Sequence, residues 1–514
     1  MSAPAATEET RGPLARATTV TMLLVIAGSA SGFARDLLVA GVFGATAGTD
    51  AFMVAWTIPE TAAPLLIEGA LSFLLIPYFS RAVEDGRPLR EVVWAVLPKA
   101  VLAFVLLSAA TAAAAPLVAR GLAPGIQEHD LATRCTQITS LTVLGFGLAG
   151  FCSAALRTQR IFGPPAAIYL AYNAAIVAAV AIGHDVWGIT SVACGVAAGG
   201  LLMALIQAPS FVRHVGTPVR TGVATSISWA VFAPIAAFTL LRQAQVFVER
   251  FVASSLPPGS ISYLNYAQKI AQVPMVASLI LATVTLPILA RAVAAGDHEA
   301  AARRVLADTR VAAAIVLLAT AFLTAHAPGV VGLLLEHGAF TPGDTAATAW
   351  SMRLYCLGLL GQAVVGVLCR VYFCAARPSW YPAAAMTAGL ALTAVAAPYL
   401  AGPLGVGGVA LANAAGITLT AALLLGGLRE QRGQLPALPV RALLVSVGRL
   451  SAAAAVAAGV SFLARPATAD LSLIVAVPCE AAVTTAVFVT AALLTGSRRD
   501  LGDALRSREG GVRL

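Results

Sequence analysis

Apolar runs of twenty or more residues recur along the whole chain, separated by short joints rich in Arg, Gly and Pro. A bilayer core about 30 Å thick is crossed by roughly 20 apolar residues in a helix. Runs of that length lie at 19–43, 48–78, 92–119, 132–156, 161–182, 187–212, 225–254, 260–290, 310–334, 344–374, 380–401, 404–428, 442–464 and 471–495, which predicts fourteen transmembrane helices. In lipid each backbone polar group must be satisfied within its own segment or a closed barrel. Runs of this length satisfy it as helices, so the fold class is an all-α polytopic membrane protein.

The polar joints orient the chain. With the N-terminus in the cytoplasm, Arg81, Arg87, Arg157, Arg213, Arg291, Arg303, Arg377 and Arg432 fall in inside loops, whereas only Arg120, Arg134 and Arg465 fall outside. Positive charge on the cytoplasmic side then predicts both termini inside. The halves also repeat. Pro77, Arg81, Ala82, Val83 and Gly86 recur as Pro287, Arg291, Ala292, Val293 and Gly296, and Leu144, Gly145 and Arg157 recur as Leu357, Gly358 and Arg370. Helix 2 matching helix 8 preserves direction across the membrane, as parallel repeats do. The expected organisation is a polar tail at 1–18, six-helix repeats at 19–215 and 216–432, helices 13 and 14 at 433–496, and a basic tail at 497–514.

Composition agrees with the pattern, at 59% hydrophobic and 11% charged residues; soluble chains carry about 25% charged. The net charge of +9 is scattered among spans rather than gathered with aromatic platforms, which argues against nucleic acid. Seven cysteines sit mostly in apolar segments without C-x-x-C spacing, so neither a disulfide framework nor a zinc site is expected. Residues 1–18 lack the basic-then-apolar layout of a cleaved signal.

Charges inside the spans are the chemical signal, because an ionisable group in hydrocarbon costs several kcal/mol. The first two helices hold Arg35, Asp36, Asp50, Glu60 and Glu68; helix 7 holds Arg242, Glu249 and Arg250, and helix 8 holds Lys269. On a straight helix Asp50 and Glu68 would share a face about 27 Å apart. Pro59 and Pro64 predict a kink instead, and a kinked charged face is expected to line a cavity. Such a mixture is either a set of structural ion pairs or a polar cavity whose cations meet an anionic cargo. Arg suits phosphate through its planar fork and Lys through a point charge.

The stretches Gly32-Phe33-Ala34-Arg35-Asp36, Phe43-Gly44, Thr49-Asp50-Ala51-Phe52, Pro59 and Glu68-Gly69-Ala70 resemble the opening helices of the MurJ/MviN family of lipid II flippases. That family lies within the multidrug/oligosaccharidyl-lipid/polysaccharide exporter superfamily. The resemblance continues in Gly259-Ser260-Ile261-Ser262-Tyr263, Tyr266-Ala267-Gln268-Lys269 and His337-Gly338-Ala339-Phe340-Thr341. It implies that arginines from helices 1, 2 and 8 receive the diphosphate of the cargo, and Arg35 and Lys269 match two of those positions. Ala63-Pro64 stands where the family has a helix-2 arginine pair, and Ser29 where it has an early helix-1 arginine. The expected substrate-binding residues are therefore Arg35, Asp36, Asp50, Glu68, Arg242 and Lys269, with Arg242, rather than Arg250, supplying the missing charge.

The function implied is movement of a polyprenyl-diphosphate-linked peptidoglycan precursor from the cytoplasmic to the outer leaflet by alternating access. Its expected partners are that glycan lipid and the bilayer; the sequence does not specify an oligomeric state. A flippase for another polyprenyl-linked oligosaccharide, an ion-coupled multidrug antiporter and a non-transporting scaffold are the alternatives. A drug exporter for cations would carry an acidic rather than a basic cavity. No P-loop, G-x-G-x-x-G or nucleophile–base spacing is present, so neither an enzyme nor a cofactor is expected. No metal is expected either, because helix 11 offers only Thr387 and Thr393 to the sodium site that some family members hold, and hard cations want several oxygens. Arg353, Gln362 and Arg370 on helix 10 could extend the cavity, although Arg370 is expected to snorkel. Arg449 is expected to pair with Glu480, and His326 to be a packing residue.

Overall fold

The computed structural model describes residues 11–219, 233–275, 297–373, 379–430, 439–468 and 470–497, and these residues are helical with short joints and no strand. In order the helices are α1 (Arg11–Phe43), α2 (Ala47–Ala63), α3 (Ala70–Glu84), α4 (Leu89–Ala113), α5 (Ala115–Leu122), α6 (His129–Thr139), α7 (Leu141–Thr158), α8 (Gly163–Trp187), α9 (Thr190–Leu205) and α10 (Ala208–Val215). After α11 (Ala233–Ala253) comes α12, described over 260–275. There follow α13 (His298–Leu335), α14 (Pro342–Cys356), α15 (Leu359–Phe373), α16 (Tyr381–Leu404), α17 (Val406–Glu430), α18 (Val440–Ala464) and α19 (Leu473–Leu494).

Among the described residues ten helical segments are long and apolar enough to cross a membrane, and α14 with α15, bent by 47°, makes an eleventh. Of the three remaining expected spans, one differs for a physical reason. That at 48–78 is divided between α2, a π-helical turn over Pro64–Glu68 and α3. Those at 225–254 and 260–290 run in part outside the described residues.

The chain divides into two compact units, one of Met1–Phe43 with Ala47–Phe232 and one of Gly44–Thr46 with Ala233–Leu514. In the first, α7 is the hub, packed on α2, α3, α4 and α9. Leu75, Phe79, Val92, Val93 and Phe151 form its apolar core, with the Phe79 and Phe151 rings edge to face at 5.7 Å. In the second unit, Val365, Leu368, Tyr372, Met386 and Leu424 knit α15, α16 and α17 together. A separate cluster of Leu317, Leu450, Ala457 and Phe488 fastens the hairpin of α18 and α19 to α13. The entry to α14 is built as a capping box. Thr341 N donates to Asp344 Oδ2 at 2.8 Å, Asp344 N donates to Thr341 Oγ1 at 3.3 Å, and Pro342 occupies the first turn where no N–H is needed. Tyr263 from α12 donates to the other oxygen of Asp344 at 2.7 Å, so two of the three resembling stretches of this unit meet there.

Candidate functional site

In the first unit Arg35 comes from the last third of α1 and is buried. Its Nε and Nη2 donate to Asp36 Oδ1 at 3.0 and 2.6 Å, and its Nη1 donates to Asn173 Oδ1 on α8 at 2.9 Å. Asn173 is itself fixed, donating through Nδ2 to the Gly28 carbonyl and to Ser31 Oγ, both at 3.1 Å. The guanidinium lies 4.5 Å from the centre of the Trp56 ring on α2, a cation–π arrangement that favours a delocalised cation. Trp56 and Phe146 in turn flank Tyr172 at 6.5 and 5.4 Å. The sequence placed Arg35 and Asp36 together; Asn173, 138 residues away, and the aromatic floor were not visible in it. The arrangement holds a cation in a fixed orientation, with one carboxylate already against it.

Asp50 is buried in the first turn of α2, where the helix dipole favours an acid. Glu68 closes the π turn, and its side chain lies outside the described residues. No straight helix links them, because Pro64 opens the turn, and Gly69 leaves it at φ −129°, ψ −91°. Ser72 Oγ donates to the Ile67 carbonyl at 3.0 Å, satisfying one acceptor that the break exposes. Across this turn lies Gly150 of α7, so close that a Cβ there would stand 1.8 Å from the Leu66 carbonyl oxygen.

In the second unit Arg242 is exposed on α11, two turns before Glu249, while Glu249 and Arg250 are both buried. Lys269 is half-buried on α12. Glu249 is the centre of a network that sequence reasoning had not singled out. Its Oε2 accepts from Tyr355 Oη of α14 at 2.5 Å, and its Oε1 accepts from Asn413 Nδ2 of α17. The signal available was an acid inside a span; its partners, 106 and 164 residues away, left no local trace. Thr393, expected as a poor cation ligand, donates instead to the carbonyls of Gly389 and Ala412 at 3.1 and 3.4 Å.

One further expectation is corrected. Arg449 does not meet Glu480: α18 and α19 run antiparallel, so Arg449, early in α18, lies beside Gly496 at the end of α19. Glu480 instead faces His326 of α13, with Nδ1 and Oε2 2.8 Å apart. Arg353 is committed to the backbone, its Nε donating to the Thr324 carbonyl at 3.1 Å.

A model of the lipid II flippase MurJ family matches residues 39–478. The chain is 28% identical over 424 residues to the lipid II flippase MurJ of Burkholderia cenocepacia, covering 78% of this chain and 81% of that one. It is 25% identical over 438 residues to the probable lipid II flippase MurJ of Vibrio cholerae serotype O1, covering 78% and 80%. Among solved structures, a lipid II flippase MurJ in an inward closed conformation superposes with a TM-score of 0.75 at 21% identity, over 93% of this chain and 99% of that one. An outward-facing multidrug resistance MATE transporter of the MOP superfamily superposes at 0.58 with 15% identity, over 80% and 95%.

Proposed function

The chain belongs to the lipid II flippase MurJ family, and on that premise we propose that it carries lipid II from the cytoplasmic to the outer leaflet by alternating access. The family match over residues 39–478 is the observation that carries the reading. The charged groups supply its chemistry. Arg35, Arg242 and Lys269 are the cations for a diphosphate, Asp36, Asp50 and Glu68 set the field around them, and alternation proceeds between the repeats at 19–215 and 216–432. Expressed in a strain depleted of its own lipid II flippase, the chain should restore growth, and in proteoliposomes it should translocate lipid II. Failure of both rejects this cargo.

The second reading, a different polyprenyl-diphosphate oligosaccharide, is favoured by specific positions. Ala63 and Pro64 open the π turn where the family resemblance calls for arginines. Ser29 donates to its own helix at Val25 O and brings no cation. Translocation of such a lipid, with lipid II left unmoved, would establish that reading.

The orientation belongs to the same proposal, with both termini in the cytoplasm. Single cysteines at Gly48, Pro257 and Gly402, in a background freed of the native seven, should react with an impermeant thiol reagent added outside. Reaction only from the inside at two of the three positions reverses the orientation.

A further inference from the structure

Helix α13 is 38 residues long and breaks at His326, whose φ −110° and ψ 21° are not helical, two residues before Pro328. Proline has no N–H to offer the carbonyl four residues back. That carbonyl is Thr324 O, and Arg353 of α14 supplies the missing donor. At the break His326 faces Glu480 of α19, and Glu480 Oε1 accepts from Thr468 Oγ1 at 2.7 Å. The two side chains are only 2% and 12% exposed, yet both border a cavity of about 610 Å³ that Glu336, Thr345, Thr468 and Arg465 also line. Both ring nitrogens of His326 are buried without a hydrogen-bond partner.

We infer that His326 and Glu480 form a proton-binding site that couples cargo movement to a proton gradient; the coupling rests on the transport reading above. A neutral ring keeps one nitrogen lone pair open, with the Glu480 carboxylate 2.8 Å from Nδ1. That lone pair takes the proton, and the pair of side chains passes from one negative charge to none. Histidine is the side chain that changes charge near neutrality, and ionisable groups kept within membrane spans mark ion pathways and proton relays. The break gives the proton something to act on, because it is a local departure from helix held by one side-chain bond from Arg353 and by the contact with α19. In the proposed orientation the site lies toward the outer face, nine residues before the end of α13.

The charges around the ring come from every side. Glu480 faces it from α19, and Arg465, on the 3-10 turn over Arg465–Thr468, lies within electrostatic reach of the ring and of Arg353. Glu336, at the C-terminal end of α13, holds Thr345 at 2.7 Å. Helix α18 brings only Arg441 and Arg449, and Arg449 sits beside Gly496, about 24 Å along α19 from Glu480. Helix α15 brings only Arg370, in its last turn. No other charge among the described residues of these elements approaches the pair as Glu480 does.

The full chain should be reconstituted with lipid II, the membrane potential clamped at zero, and a pH gradient of one unit imposed in either direction. The wild-type translocation rate should differ severalfold between the two directions, with about tenfold the limit for one proton. Any translocation that remains in Glu480→Gln and His326→Gln should lack that difference. Wild-type translocation indifferent to the gradient, or variants that respond as wild type does, overturns the inference. A wild type that moves no lipid II fails the cargo reading instead, and the proton site is then decided without cargo. In nanodiscs of the full chain with 15N-labelled histidine, His326→Gln identifies one resonance among six histidines. That ring should change protonation state between pH 5 and 9, and the transition should move at least tenfold in proton concentration in Glu480→Gln. A ring that does not titrate, or titrates identically in the variant, rejects the site; should Glu480→Gln not fold, the wild-type titration alone decides.

Discussion

Arg35→Ala should lower thermal stability, by about 3–5 kcal/mol, and abolish translocation of lipid II. Removing the buried Arg35 leaves the half-buried Asp36 uncompensated, and breaking such a pair in an interior is a loss of this order. Here Asp36 would lose the donors at 3.0 and 2.6 Å, and Asn173 Oδ1 its donor at 2.9 Å. Stability and transport separate in the double variant Arg35→Gln with Asp36→Asn, which removes both charges while keeping polar groups in similar volumes. It should recover most of the thermal midpoint and none of the translocation, because a neutral amide cannot attract a diphosphate as a cation does. If the double variant transports normally, the Arg35–Asp36 pair serves only the fold. If Arg35→Ala is as stable as wild type, the hydrogen-bonded network contributes nothing.

That network also shows where sequence reading reaches its range. The length of the apolar runs located eleven of the fourteen expected spans among the described residues, because burial in lipid is a one-dimensional constraint that each segment meets within itself. Adjacent charges such as Arg35 and Asp36 could be paired on sight. Pairs across the fold could not: Asn173 with Arg35, Tyr355 and Asn413 with Glu249, and Glu480 with His326 depend on which helix faces which. Arg449 illustrates the failure, since opposite charges on neighbouring helices suggested a pair until the antiparallel course of α18 and α19 separated them. Prolines were half legible. Pro64 announced a break in the second span but not that it would relax into a π turn. Pro328 announced neither the distorted residue two positions earlier nor the arginine that would satisfy Thr324.

Gly150→Ala should cost about 3 kcal/mol or more in stability and remove translocation with it, though it adds only one methyl group. Inserting methylenes into a packed interior typically costs 1–3 kcal/mol, because side chains move to make room. At Gly150 the obstacle is not a side chain: a Cβ would stand 1.8 Å from the Leu66 carbonyl oxygen and 2.9 Å from its carbon. Leu66 is inside the π turn that ends at Glu68, so the added methyl must push α7 away from the turn or unwind it. The second course would shift the backbone that carries Glu68, one of the proposed cargo residues. Gly366→Ala on α15, where a Cβ would meet nothing within 4 Å, is the control; it should leave stability unchanged or raise it by about 0.5–1 kcal/mol through helix propensity. Thermal unfolding of both purified variants in detergent separates the outcomes. A Gly150→Ala protein as stable as the control would mean that the π turn retracts freely, and the close approach of α7 would then not be what holds Glu68 in place.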